Sequence, residues 1–540
     1  MKTRNVRIWS LVLAVVLMLV GYTDRVDYLL RQGHGVFASI APAPQPLSQM
    51  EYSRPDMAQH EQILLESCRI AREETDIDKV LEGIVEYYDV YDRFYTDLAL
   101  ADLHYSCDLT DTYWQKEYEF CMEQSAEVDA GLEELYYALA ESPIRAELEA
   151  EYFGEGYFDS YEGESIYDAQ LLALLEQEAQ LKGQYQQMLS GDIYAEGFLE
   201  ENWEAMAGVL VELVQVRRQI AKETGYESYP DCAYDFYHAR DYSAREAESY
   251  VQEIAATLTD SYRKICRSSV WELGYSYCPE EETYAYVQKA ARKMGGQIGK
   301  TFRFLDQESL CHISYGPNKA VGAYEVYLWS YTSPFIFVSP YLDQSDKLTF
   351  SHEFGHFLND YACGGSYVGT DVSEVHSQAF EYLCLLYGEN TADLEKYKLA
   401  DSLCTYVEQA AYALFEQRLY ELEEEALTPE GIRALYEEVG LEFGFDSRNW
   451  DSREFVTINH FYTEPMYIIS YVVSNDVAFQ IYQKEKVSEG AGLEVYETCL
   501  GSEDSYLLWF ADNYGLDSPF APGRLEQVKI TLEEGLADYL

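Results

Sequence analysis

Between about residues 57 and 300 apolar residues recur at three- and four-residue spacing, a pattern that predicts long amphipathic helices. The clearest runs are IDKVLEGIVEYYDVYDRFYTDLALADL (77–103) and NWEAMAGVLVELVQVRRQIAKETG (202–225), the second with Gly225 as its C-terminal stop. Prolines are few and fall mostly between such runs. Near residue 301 the texture changes. TFRFL (301–305) and SPFIFVSPY (333–341) carry the aromatic and β-branched content of short strands. Helical spacing returns from about 346 to the end, and no internal repeat is evident. The predicted fold class is mainly α, a large multi-lobed helical body with one small β-sheet.

At the start, Lys2, Arg4 and Arg7 precede the uncharged run IWSLVLAVVLMLV (8–20). Residues 1–22 therefore predict a signal peptide or an N-terminal membrane anchor. No A-x-A-like cleavage site follows closely, which favours an uncleaved anchor over residues 8–22. The first cysteine is Cys68, so a lipoprotein anchor is not expected. The expected location of the body is extracellular or in the cell envelope. Residues 23–50, with APAPQPLSQ at 41–49, read as an extended tether.

Composition narrows the partners. A formal charge of −58 over 540 residues repels nucleic acid and anionic lipid surfaces, so neither is expected as a partner. The 51 tyrosines suit a large fold with many half-buried amphipathic positions. The 11 cysteines include no C-x-x-C pair, which argues against a zinc ribbon or a dithiol redox motif; buried free thiols are expected.

The chemistry concentrates in SHEFGHFLNDY (351–361). On a helix, residues i and i+4 share a face, so His352 and His356 can aim ring nitrogens at one ion. Glu353 is rotated by about 100° from His352, so it can reach a water on that ion without ligating it. This is the H-E-x-x-H logic of zinc hydrolases. With 9 histidines in the chain, about 0.02 such matches are expected by chance. A catalytic zinc needs a third protein ligand and an open position. No histidine occurs between His356 and His376. GTDVSEVHSQAFEYL (369–383) predicts a second helix opened by cap-like Thr370 and Asp371, after a reversing loop at 361–368 that contains Gly364 and Gly365. Glu374, in its first turn, is the expected third ligand. Asp371, His376 and Glu381 are the other candidates, with Asp371 or Glu381 also able to orient a ligand from outside.

This arrangement resembles the thimet oligopeptidase and oligoendopeptidase F family of zinc peptidases, and the oligoendopeptidase F branch most closely. The likeness extends over roughly 210–540. It includes RRQIAKETGYESY (217–229), NKAVGAYEV (318–326) ahead of PFIFVS, ALFEQRLYELEEEALTPEGIRALYEEVG (413–440) and GLDSPF (515–520). Asn359 stands where the family usually has a further, non-ligating histidine. The resemblance implies a deep substrate channel, with an N-terminal helical lobe over 51–200 and a helical catalytic region over 201–540. It also implies that His460 and the pair Tyr467 and Tyr471, from INHFYTEPMYIISYVVSND (458–476), line the substrate side, Tyr462 being a weaker candidate.

The resulting expectation is a zinc-dependent oligoendopeptidase with one Zn²⁺ per chain, acting on short unstructured peptides. His352, His356 and Glu374 hold the metal, Glu353 is the general base for the activated water, and His460 and Tyr467 donate to the oxyanion. An extended substrate is expected to pair with an edge strand near 333–339. The alternatives are a zinc carboxypeptidase of the related helical type, for which Arg418 and Arg453 are unplaced basic groups, and a non-catalytic peptide-binding surface protein.

Overall fold

The computed structural model describes residues 43–161, 169–189, 197–366, 368–445, 450–502 and 504–540. The apolar run at 8–22 lies outside these residues. Among the described residues no helix is long and apolar enough to cross a membrane.

The architecture is helical around one small sheet, the predicted class. The 77–103 pattern forms the helix Ile77–Cys107, started by the Asp76 side chain, which accepts the Asp78 N–H. The 202–225 pattern forms Phe198–Glu223, and Gly225 follows it at φ +89°. Helices Met57–Glu73, Ile77–Cys107 and Thr112–Ala140 share a hydrophobic cluster that runs from Cys68 to Phe158. Most other elements pack into a second, larger core.

The sheet has three strands, β1 (Cys311–Ile313), β2 (Gly322–Leu328) and β3 (Ser333–Ser339), in the order β1-β3-β2. β3 pairs parallel with β1 and antiparallel with β2. The segment 333–339 is therefore the central strand, not an edge. All its residues but Ser339 are buried, and both its hydrogen-bonding sides are taken, so the available edge on this side is β2. The segment 301–305 is also not a strand. It lies in the helix Gly296–Glu308, where Ile298, Phe302 and Leu305 are buried at helical spacing; aromatic content misled where periodicity decides.

The HExxH motif sits on the helix Asp346–Cys363, whose residues 346–359 are all buried. This motif helix packs on β2 and β3 and on the next helix, Thr370–Tyr387. It runs to Cys363, so the reversal begins three residues later than expected. Gly364 and Gly365 make it at φ +71° and +80°, in the left-handed region that favours glycine. Thr370 and Asp371 lie inside the second helix, and Gly369 occupies the cap position.

Candidate metal centre

The helical period brings the two imidazoles together: His352 Nε2 and His356 Nε2 are 3.3 Å apart. Glu374, on the second helix, approaches both, with Oε2 3.4 Å from His352 Nε2 and Oε1 3.9 Å from His356 Nε2. The motif helix can lie this close because Gly355 faces the second helix. A Cβ at that position would stand 2.6 Å from Ser377 Cα and 2.7 Å from the His376 carbonyl oxygen.

The outer nitrogens are engaged elsewhere. His352 Nδ1 lies 2.9 Å from Glu381 Oε1, and His356 Nδ1 lies 3.0 Å from Ser373 Oγ. A carboxylate only accepts, so the Nδ1–H of His352 donates to Glu381. Burial works against the charge on Glu381, but Lys398 Nζ at 2.7 Å and the imidazole outweigh it, holding the carboxyl below its usual range. With Nδ1 engaged in this way, His352 Nε2 is the ring atom that faces Glu374 and His356. Two imidazole nitrogens and a carboxylate converging on one point, each oriented from behind, suit a divalent cation with mixed N/O ligands. The three side chains form a candidate metal-holding group, and all three are buried.

Glu353 points elsewhere on the same helix. Its Oε2 is buried with no hydrogen-bond partner among the described residues. Burial pushes its carboxyl up to about 8; the charge of His352 and a hydrogen bond from the Glu325 backbone on β2 oppose the shift. The general-base candidate is thus next to β2, an edge strand of the sheet.

The late segment meets the same site. The Tyr467 hydroxyl donates to Glu374 Oε1 at 2.6 Å, and Ser377 Oγ donates to Oε2 at 3.1 Å. His460 Nε2 is 3.3 Å from the Tyr471 hydroxyl, and the Tyr467 and Tyr471 rings are 5.3 Å apart. Burial lowers the His460 imidazole to about 4, leaving it neutral at physiological pH. Both tyrosines are raised by burial and stay protonated as donors. The structure therefore brings together His352, Glu353, His356, Glu374, Tyr467, Tyr471 and His460. Tyr462 is elsewhere, stacked on Tyr185 at 3.6 Å and donating to the Met206 carbonyl. His376 is packed between the Tyr496 and Phe510 rings. Asp371 accepts from Tyr242 at 2.7 Å and pairs with Arg240. Of the three other acid and histidine candidates, only Glu381 touches a ligand.

Sequence reasoning missed the groups that hold the late segment in place. Arg217, fully buried, pairs with Glu178 and donates to the carbonyls of Phe461 and Tyr462, fixing the turn that carries His460. Arg240 donates to the Met466 carbonyl and to Ser470 Oγ, both at 2.8 Å, and pairs with Asp371. His238 Nε2 lies 2.9 Å from the Pro465 carbonyl oxygen. Two non-glycine residues in the left-handed region, Ala239 at φ +47° and Met466 at φ +65°, lie in this clasp. Arg217 falls inside the RRQIAKETG stretch, but nothing in the pattern marks it as buried.

The fold is one found among solved peptidase structures, and its site offers a His–His–Glu group suited to a metal ion. Residues 47–165 match the family described as Peptidase M3 N-terminal domain, a span that contains the whole Cys68–Phe158 cluster. In particular, the fold is the one shared by oligoendopeptidase F structures, as the sequence resemblance implied. PZ peptidase A crystallised with an inhibitor superposes with a TM-score of 0.80 at 20% identity, covering 91% of this chain and 99% of that one. A protein assigned as oligoendopeptidase F from Bacillus anthracis gives 0.78 at 20% identity, covering 92% and 99%. Oligoendopeptidase F from Enterococcus faecium gives 0.57 at 16%, covering 90% and 98%. A search of curated proteins finds no match.

Proposed function

We propose that this protein is a zinc-dependent oligoendopeptidase that cleaves internal bonds of short, unstructured peptides. The observation that carries the reading is the convergence of His352 Nε2, His356 Nε2 and a Glu374 carboxylate oxygen, with Glu353 buried beside them. A zinc ion held by these three would supply Lewis acidity and activate water at neutral pH. Glu353 takes a proton from the attacking water and returns it to the leaving amine. A substrate strand would pair along β2, whose Glu325 backbone already contacts Glu353. His460 and Tyr471, 3.3 Å apart, would donate to the developing oxyanion. Tyr467 joins them only when its hydroxyl leaves Glu374, which it holds here.

The carboxypeptidase reading is less well supported. Arg418 is held bidentately by Glu442, and Arg453 by Asp451 with Glu200 nearby, so each candidate for a terminal carboxylate is already neutralised. An exported body, anchored or processed near residues 8–22, remains part of the proposal. The test uses purified protein and end-blocked peptides. Chelator-sensitive internal cleavage is expected, and Glu353→Gln should retain zinc but lose turnover by at least about 10²-fold. Undiminished cleavage by that variant refutes the base assignment.

A further inference from the structure

A second cluster of metal-ligating side chains lies outside the site described above. Cys266 caps the C-terminal end of helix Ala244–Ile265. Cys404 ends helix Ala392–Cys404, and Glu408 follows in the π-helical turn Thr405–Gln409. One ligand atom from each of the three lies within 4.8 Å of the others. We propose that Cys266, Cys404 and Glu408 bind a second zinc ion, with water in the fourth position.

The donor set and its surroundings support this. Two thiols and a carboxylate form a soft-to-borderline set, which among common divalent ions selects zinc over magnesium or calcium. An ion centred among atoms up to 4.8 Å apart would sit at most about 2.8 Å from each. Zinc needs about 2.3 Å to sulfur and 2.0–2.2 Å to oxygen, so the sulfurs have at most about 0.5 Å and the carboxylate oxygen at most about 0.8 Å to close. The π turn brings Glu408 back toward Cys404, and π turns recur at functional positions. The Tyr262 hydroxyl donates to Glu408, the kind of outer contact that fixes a ligating carboxylate. All three residues are half-buried. The ion would tie helix Ala244–Ile265 to the 392–409 segment, and no residue is shared with the His352–His356–Glu374 group.

The experiment is cobalt substitution and metal counting on the full chain, purified with a phosphine reductant. A thiolate-to-cobalt charge-transfer band in the near ultraviolet and about two zinc ions per chain are expected. Cys266→Ser/Cys404→Ser should lose the band and about one zinc while keeping peptide cleavage within about twofold. The wild-type band decides the matter even if that variant fails to fold. One ion with the band present upholds the thiol site and counts against the His–His–Glu centre instead. Absence of the band, or an intact mass showing Cys266 and Cys404 joined as a disulfide under these conditions, overturns the proposal.

Discussion

Replacing Gly355 with alanine tests whether the contact between the two ligand helices sets the metal centre. The new Cβ would stand 2.6 Å from Ser377 Cα, whereas ordinary contact begins at 3.4 Å, so the helices must separate by about 0.8 Å. The obstacle is backbone and cannot rotate away. Overpacking of this kind costs about 1–3 kcal/mol, and the helix propensity of alanine over glycine returns about 1 kcal/mol. Global stability should therefore fall by at most about 2 kcal/mol. The local effect is larger in consequence, because Glu374 rides on the displaced helix and its 3.4 Å approach to His352 would open toward 4 Å. A misplacement near 1 Å in a catalytic constellation costs about 10²-fold in rate. The assays are zinc affinity by chelator competition, kcat/KM on an end-blocked peptide, and thermal unfolding. Gly208→Ala is the control: it is helical, its added Cβ meets nothing within 4 Å, and it should be neutral or stabilising. Wild-type zinc affinity and kcat/KM in Gly355→Ala would refute the reasoning.

Glu381→Gln removes the charge that orients His352 and should weaken zinc binding about 10–100-fold; chelator competition measures it. Tyr467→Phe should weaken zinc retention because its hydroxyl steadies Glu374, whereas Tyr471→Phe should lower kcat with zinc content unchanged; equal effects of the two on zinc would contradict the division of roles. In the N-terminal helices, burial raises the Asp129 carboxyl to about 7 despite hydrogen bonds from Tyr95 and Tyr91. The folded state holds this proton more tightly than the unfolded chain, so the stability it contributes is complete below about pH 4 and is lost as pH rises through 7. Relative to Asp129→Asn, the wild type should lose at most about 4 kcal/mol across that window in denaturant titrations; a pH-independent difference would show that the carboxyl titrates normally.

What the sequence disclosed follows the range over which each feature is encoded. His352, Glu353 and His356 are fixed relative to one another by one helical turn, so their arrangement could be read directly. Glu374 was accessible because a short glycine reversal leaves few places for the next helix to go. Lys398 behind Glu381 and the clasps of Arg217 and Arg240 were not legible. These arginines meet partners more than a hundred residues away, and a basic residue on an amphipathic helix ordinarily faces water. The sheet order was likewise hidden, since β3 is central only because the short, distant β1 pairs with it in parallel. At 301–305, residue type suggested a strand while the spacing of Ile298, Phe302 and Leu305 carried the correct answer.

The helix Ile77–Cys107 is stitched to the edge strand. The Tyr324 hydroxyl of β2 donates to Asp102 and lies 3.2 Å from Ser106 Oγ, the Ala320 N–H donates to the Ser106 carbonyl at 2.9 Å, and the Ser330 N–H donates to Thr96 Oγ1 at 2.9 Å. Asp102 is buried, so parting these groups would strand a polar side chain away from water. A swing of the first three helices must therefore either break those links or carry β2 along. So long as those links hold, a displacement of the N-terminal helices is also a displacement of the strand on which a peptide would dock.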